Sequence, residues 1–124
     1  SDAITSAAYT ISQNAGAKAI ITFSVSGGTT SRMSKERAPV QIIGISPNIN
    51  TARKLQIMWG VHSCHNQDAN DTKEMVSIAC SVAKDKKITM PGDPVIITAG
   101  VPFGHAGSTN LLRIAKIIAD KDLT

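Results

Sequence analysis

The stretch Ser24-Val25-Ser26-Gly27-Gly28-Thr29-Thr30 has the residue types and spacing to hold an anion. Hydroxyls at 24, 26, 29 and 30 supply donors, and the glycines at 27 and 28 let a ligand approach the backbone closely. The stretch follows an apolar run, Ala19-Ile20-Ile21-Thr22-Phe23, that reads as a buried strand. It precedes Ser31-Arg32-Met33-Ser34-Lys35-Glu36-Arg37, which reads as a short helix. Strand, Gly/Ser/Thr turn and helix together make a phosphate cradle, because the first amides of a helix have no intrahelical partner and the helix dipole is positive there. Arg32 sits one turn on and offers a charge-assisted contact. No Gly-Lys-Ser/Thr follows, so this is not a P-loop, and the pattern is not GxGxxG. An ordinary βα turn with an N-capping hydroxyl uses the same residues, and the stretch alone does not separate the two.

A second glycine-rich stretch, Gly100-Val101-Pro102-Phe103-Gly104-His105-Ala106-Gly107-Ser108, also follows an apolar strand. His105 there suits either ligand contact or plain exposure. Other groups capable of chemistry are few. His62, Cys64 and His65 look like metal ligands, but on a strand 62 and 64 share one face while 65 points to the other, and no second pair lies at zinc spacing. Cys64 beside a histidine imitates a thiol nucleophile without an oxyanion-hole turn. Ser108 lacks the G-x-S-x-G elbow. Asp68, Asp71 and Glu74 are close in sequence, yet helix capping explains the last two. No pair of carboxylates is set for acid–base work. From the residues alone, candidates for enzyme chemistry are thin and none has metal-ligand spacing.

Composition narrows the classes further. The chain has 124 residues, one domain by length. Apolar residues make up 42 % and mean hydropathy is +0.01, values of a globular chain and not of a disordered one. No apolar run approaches the ~20 residues of a membrane span, so no membrane role is expected. The net charge of +4 is mild and aromatics are 3 %, so the basic stripe with stacking rings of a nucleic-acid binder is missing. Lys84-Asp85-Lys86-Lys87 reads as a solvated helix end. Cys64 and Cys80 lie far apart with no C-x-x-C, and with no secretory signal both are expected reduced and buried in a cytoplasmic protein. The start at Ser1 without methionine points to processing or to a piece of a longer chain.

The elements that must position these residues follow from periodicity. A first helix is expected over 2–16, with Ile4, Ala8, Ile11 and Ala15 on its buried face. Strands are expected at 18–23, 40–45, 60–65, 95–99 and 109–117. Helices are expected at 29–37, at 49–59 with Ala52, Leu55, Met58 and Trp59 inward, and from Asp71 with Met75, Ile78, Ala79 and Val82 inward. Residues from 118 read as a loosely ordered tail. Alternating elements imply an α/β domain, a three-layer sandwich on a five-stranded, mostly parallel sheet. No helix separates the last two strands, so the last should run antiparallel at the edge. The third strand, short and polar, should lie near the other edge. If the first and fourth strands are neighbours, the two glycine loops converge at the carboxyl ends, where such sheets bind ligands.

The order of these segments resembles the C-terminal α/β domain of pyruvate kinase, of bacterial and most nearly proteobacterial type, over residues 2–117. The resemblance is carried by Ala19 to Thr29, by Arg37-Ala38-Pro39, Thr51-Ala52-Arg53, Trp59-Gly60-Val61 and Pro91-Gly92-Asp93, and by Ala99-Gly100-Val101-Pro102-Phe103-Gly104 through Gly107-Ser108-Thr109-Asn110. It implies a glycolytic enzyme that transfers phosphoryl from phosphoenolpyruvate to ADP with Mg²⁺ and K⁺, in barrel and lid domains absent from this chain. It implies that Ser24, Ser26, Gly27, Gly28 and Thr29 hold the phosphate of an allosteric effector. The loop with Gly104, His105, Gly107 and Ser108 would close over it. It also implies contact with the enzyme's own barrel domain and a homotetramer paired through the first helix and last strand. The loop 100–108 carries no Lys or Arg, Met75 stands near where a bisphosphate-binding arginine is expected, and Gly28 replaces a larger donor. A sugar monophosphate or AMP, such as ribose 5-phosphate or glucose 6-phosphate, is therefore favoured over fructose 1,6-bisphosphate. Two other readings stay open: a stand-alone module for a phosphorylated metabolite, and a small hydrolase using Ser26 or Cys64.

Overall fold

Strand β1 (Ala19–Phe23) is buried at every residue, which places it at the centre of the molecule. Its run of Ile, Thr and Phe has no polar alternate, the pattern of a strand covered on both faces. It pairs in parallel with β2 (Gln41–Ser46) on one side and β4 (Pro94–Ala99) on the other. β3 (Val61–His65) adds in parallel outside β2, and β5 (Leu111–Lys116) adds antiparallel outside β4, for an order β3-β2-β1-β4-β5. The expected mixed sheet, its antiparallel last strand and the edge position of β3 are all present. Residues 2–36, 40–67, 69–100 and 111–117 are described by a computed structural model of the chain, the side chains of Asp2 and Glu36 excepted.

Four helices flank the sheet among the described residues: α1 (Asp2–Ala15), α2 (Gly28–Glu36), α3 (Ile49–Leu55) and α4 (Thr72–Asp85). Odd positions of β1 and β4 (Ala19, Ile21, Phe23, Val95, Ile97, Ala99) pack with Ile43 and Ile45 against Met75, Ala79, Cys80, Val82 and Ala83 of α4. Ile20, Ile42 and Ile96 face the other way, against Ala8 of α1 and Met33 of α2. Gly44 shares that second face with Ile42, and a Cβ there would lie 2.8 Å from Leu55 Cδ1, so α3 covers the same side. The result is three layers: three helices, the sheet, and α4 alone. No described helix is long and apolar enough to cross a membrane.

The helices depart from expectation in three places. On α1 the buried positions are Thr5, Ala8 and Ser12, while Ile4 and Ile11 are half-buried and Ala15 is exposed. Ser12 is tolerated inside because its hydroxyl donates to the Tyr9 carbonyl at 2.7 Å. Helix α3 stops at Leu55 and not at 59. Gln56, Ile57 and Met58 make i→i−3 bonds to Arg53, Lys54 and Leu55, a tightening that takes the expected stripe off the core, leaving Met58 half-buried and Trp59 50 % exposed. Gly60, at φ +69°, then turns the chain into β3. Cys80 is buried as expected, but Cys64 is only half-buried because β3 is an edge strand. The Asp71 cap is present, its side chain accepting from the Glu74 amide at 2.8 Å. Arg37-Ala38-Pro39, Asp68, residues 101–110 and the tail from 118 lie outside the described residues.

Candidate anion site at the switch in strand order

The chain leaves β1 at Phe23, between β2, reached through α2, and β4 on its other side. That is the point where strand order changes direction, and the loop 24–27 lies at its carboxyl end. Ser24 continues the sheet, its amide donating to the Ile45 carbonyl at 3.0 Å. Gly27 has φ +86°, a left-handed conformation open to glycine at little cost. A Cβ at 27 would meet Leu55 Cδ2 and Thr51 Cγ2 of α3, each at 3.3 Å. Helix α2 starts immediately after, its first bond running from the Ser31 amide to the Gly27 carbonyl at 2.9 Å.

The loop's own hydroxyls fill acceptor positions that an anion would otherwise take. Ser24 Oγ accepts from the Gly27 amide at 2.6 Å, and Ser26 Oγ accepts from the Gly28 amide at 3.4 Å. These amides, expected to lack partners within the helix, are thus capped by the loop's own side chains. The Gly28 bond is long and easily exchanged for a phosphate oxygen, with the released Ser26 hydroxyl able to donate in turn. Gly28 is half-buried, and a Cβ added there would sit 3.7 Å from Ser26 Oγ and 3.8 Å from Arg32 Nη1. The Arg32 guanidinium therefore leans back over the first turn of α2, beside the glycine. Thr29 is buried, and Thr30 is fully buried and shares a 2.6 Å hydrogen bond with Thr22 of β1.

Residues on neighbouring elements hold the loop in place. Thr51 Oγ1 of α3 donates to the Val25 carbonyl at 2.8 Å, and Ser46 Oγ at the end of β2 reaches the same oxygen at 3.5 Å. Helix α3 is itself capped by Asn48, whose Oδ1 accepts from Asn50 at 2.9 Å and Thr51 at 3.2 Å. Sequence reasoning missed Thr51 as a partner of this loop. Its place in the first turn of a helix reads as an ordinary start residue, and its contact depends on how α3 packs. β4, whose carboxyl end leads into the second glycine loop, is paired to β1 as the convergence requires. Gly104, His105, Gly107 and Ser108 lie outside the described residues.

The described groups among the other candidates, His62, Cys64 and His65, are engaged locally. His62 Nε2 pairs with Gln41 Oε1 at 2.8 Å and His65 Nε2 with the Pro47 carbonyl at 3.0 Å. Burial pushes the Cys64 thiol above the ordinary thiol value; the Lys86 ammonium opposes this and the Asp85 carboxylate adds to it. A thiol shifted upward is a poor nucleophile at neutral pH. Among the described residues no three His, Cys, Asp or Glu side chains come together to hold a metal ion.

Comparison with known proteins agrees over nearly the whole chain. The family model described as pyruvate kinase, alpha/beta domain, matches residues 2–115. A pyruvate kinase of Methylorubrum extorquens is 40 % identical over 115 residues, which are 93 % of this chain and 24 % of that protein. One of Geobacillus stearothermophilus is 37 % identical over 119 residues, 96 % of this chain and 20 % of that protein. Among solved structures, the Cryptosporidium parvum pyruvate kinase in complex with ADP superposes with a TM-score of 0.82 at 30 % identity, covering 93 % of this chain and 23 % of the other. The chain thus spans about a quarter of the length of the relatives it matches.

Proposed function

The chain belongs to the pyruvate kinase alpha/beta domain family, and on that premise we propose that it is the regulatory domain of such an enzyme, holding the phosphate of an allosteric effector in the loop 24–29. The whole enzyme would transfer phosphoryl from phosphoenolpyruvate to ADP in the cytoplasm, in glycolysis. The observation that carries the effector reading is the strand–turn–helix at the switch in strand order, with Ser24, Ser26, Gly27, Gly28 and Thr29 on it and Arg32 beside Gly28. The loop containing Gly104, His105, Gly107 and Ser108 would close over the ligand. With no Lys or Arg in residues 100–108, a monophosphate such as AMP, ribose 5-phosphate or glucose 6-phosphate fits the residues better than a bisphosphate.

Binding would bias the packing of this domain against the barrel and its paired copy, and so the populations of tetramer states. The Mg²⁺ and K⁺ of phosphoryl transfer would be held in the remainder of the enzyme.

The test is a thermal-shift titration of the chain with the three monophosphates and with fructose 1,6-bisphosphate. A ligand binding only the folded state stabilises by about 2.7 kcal/mol at a hundredfold excess over Kd. One monophosphate is expected to raise the melting temperature, and Gly28→Asp is expected to abolish that rise. Gly28 is chosen over Gly27 because a side chain fits there and aspartate suits a helix N-terminus, so the fold is left intact. A response to none of the four in the full-length enzyme would refute the effector reading.

A further inference from the structure

We propose that Thr51 is a positioning residue for the anion loop, holding the Val25–Ser26 peptide in the orientation that an anion needs. The inference rests on the effector reading for its ligand and on geometry for its mechanism. The Val25 carbonyl is pulled towards α3 by the Thr51 hydroxyl at 2.8 Å, with Ser46 Oγ more distant at 3.5 Å. In a trans peptide the C=O and the next N–H point in opposite directions. With its carbonyl turned into α3, this peptide aims the Ser26 amide away from α3.

The same side chain works on the next residue. Thr51 Cγ2 lies 3.3 Å from where a Gly27 Cβ would be, so its methyl forms the wall against which the left-handed glycine rests. One side chain thereby fixes two successive units, Val25–Ser26 by hydrogen bond and Gly27 by contact. Thr51 is itself buried, and its amide is tied to Asn48. The hydroxyl is therefore held by a capped helix start, which a free surface threonine would not be. Without it, the Val25–Ser26 peptide can flip, turning a carbonyl oxygen towards the anion. Thr51 touches no ligand in this arrangement and acts through the backbone of the loop.

Two variants separate this role from packing. Thr51→Val keeps the shape and removes the hydroxyl, and Thr51→Ser keeps the hydroxyl and removes the methyl. Binding of inorganic phosphate and ribose 5-phosphate is measured on the 124-residue chain by NMR titration, and amide hydrogen exchange is followed at Ser26 and Gly27. Thr51→Val is expected to weaken binding about tenfold, the loss of one well-placed hydrogen bond, and to speed exchange at the Gly27 amide, which Ser24 Oγ holds in the parent. Thr51→Ser is expected to bind within about threefold of the parent, since the hydroxyl that sets the peptide is retained. Thr51→Ala serves if the valine variant does not fold, with the same expectation. Parent-like exchange and binding in Thr51→Val or Thr51→Ala would overturn the proposal. Faster loop exchange in a chain whose parent binds neither anion would uphold the positioning role and count against the effector reading.

Discussion

Adjacent glycines in the anion loop carry different burdens. Gly27 has φ +86° and is crowded by Thr51 and Leu55, whereas Gly28 is the first residue of α2 with room for a Cβ. Gly27→Ala is expected to lower stability by about 1–2 kcal/mol for the left-handed backbone alone, read as a lower midpoint in urea. Gly28→Ala is expected to be neutral or to stabilise by up to about 1 kcal/mol, since alanine is the better helix former. The order reversed would mean that the left-handed turn is not at Gly27. Cys64 supports a second prediction at this scale. Its alkylation rate should rise with pH through an inflection above the ordinary thiol value of about 8.5. Lys86→Met removes the cation that favours the thiolate and should move the inflection further up, and Asp85→Asn should move it down. A downward move in Lys86→Met would contradict the assignment. Either way, a thiol largely protonated at neutral pH weighs against the hydrolase reading of this residue.

At the scale of elements, α2 and α3 form a closed circuit with the loop. Thr51 at the start of α3 holds Val25, and Ser34 near the end of α2 donates to the Trp59 carbonyl beyond the end of α3, at 2.8 Å. The two helices reach the sheet at Gly44, where a Cβ would lie 2.8 Å from Leu55 Cδ1 and 3.1 Å from Thr30 Cγ2. Gly44→Ala is accordingly expected to cost about 1–3 kcal/mol through overpacking. Adding Leu55→Val should recover part of that loss, because the clashing carbon is removed; strict additivity of the two costs would refute the contact. This scale also shows where sequence reading stops. β1, β2 and β4 were legible because their apolar, β-branched runs are too short for a buried helix and are bounded by turn residues. The true end of α3 was not, since Met58 and Trp59 continue the apolar periodicity while the backbone has already tightened into i→i−3 bonds. The buried stripe of α1 was misjudged for a related reason: Thr5 and Ser12 are polar by type, but close approach to the sheet favours small side chains there. The anion loop was legible as a loop, because glycines and hydroxyls bracket it. The Thr51 contact and the local capping of Gly27 depend on tertiary packing and a rotamer, which spacing does not encode.

At the scale of the whole molecule, the two edges of the sheet differ in what they could offer another copy in the proposed tetramer. The Gly60 carbonyl accepts from the Ile42 amide of β2, and the Asn66 amide donates to the Ser46 carbonyl of β2. The intervening even residues of β3 therefore bond inward and the odd ones face out. Of those outward groups, the Val61 amide is taken by the Met58 carbonyl at 3.3 Å, and the Ser63 carbonyl is covered by Lys86 Nζ at 3.1 Å. A lysine laid along an edge strand is a familiar device against sheet-to-sheet pairing. At the opposite edge, β5 presents a 52 % exposed Ile114. The asymmetry favours β5, with α1 behind it, as the side where two domains of the proposed tetramer meet. In the assembled enzyme, Ile114→Lys is expected to shift sedimentation from tetramer towards dimer, while Arg53→Ala, on the exposed face of α3, leaves it unchanged. A tetramer unaffected by Ile114→Lys would remove β5 from the interface. Pairing through β5 would extend the sheet from one copy to the next while leaving the carboxyl ends of β1 and β4 open. An effector bound there could then alter the packing of both copies without lying between them.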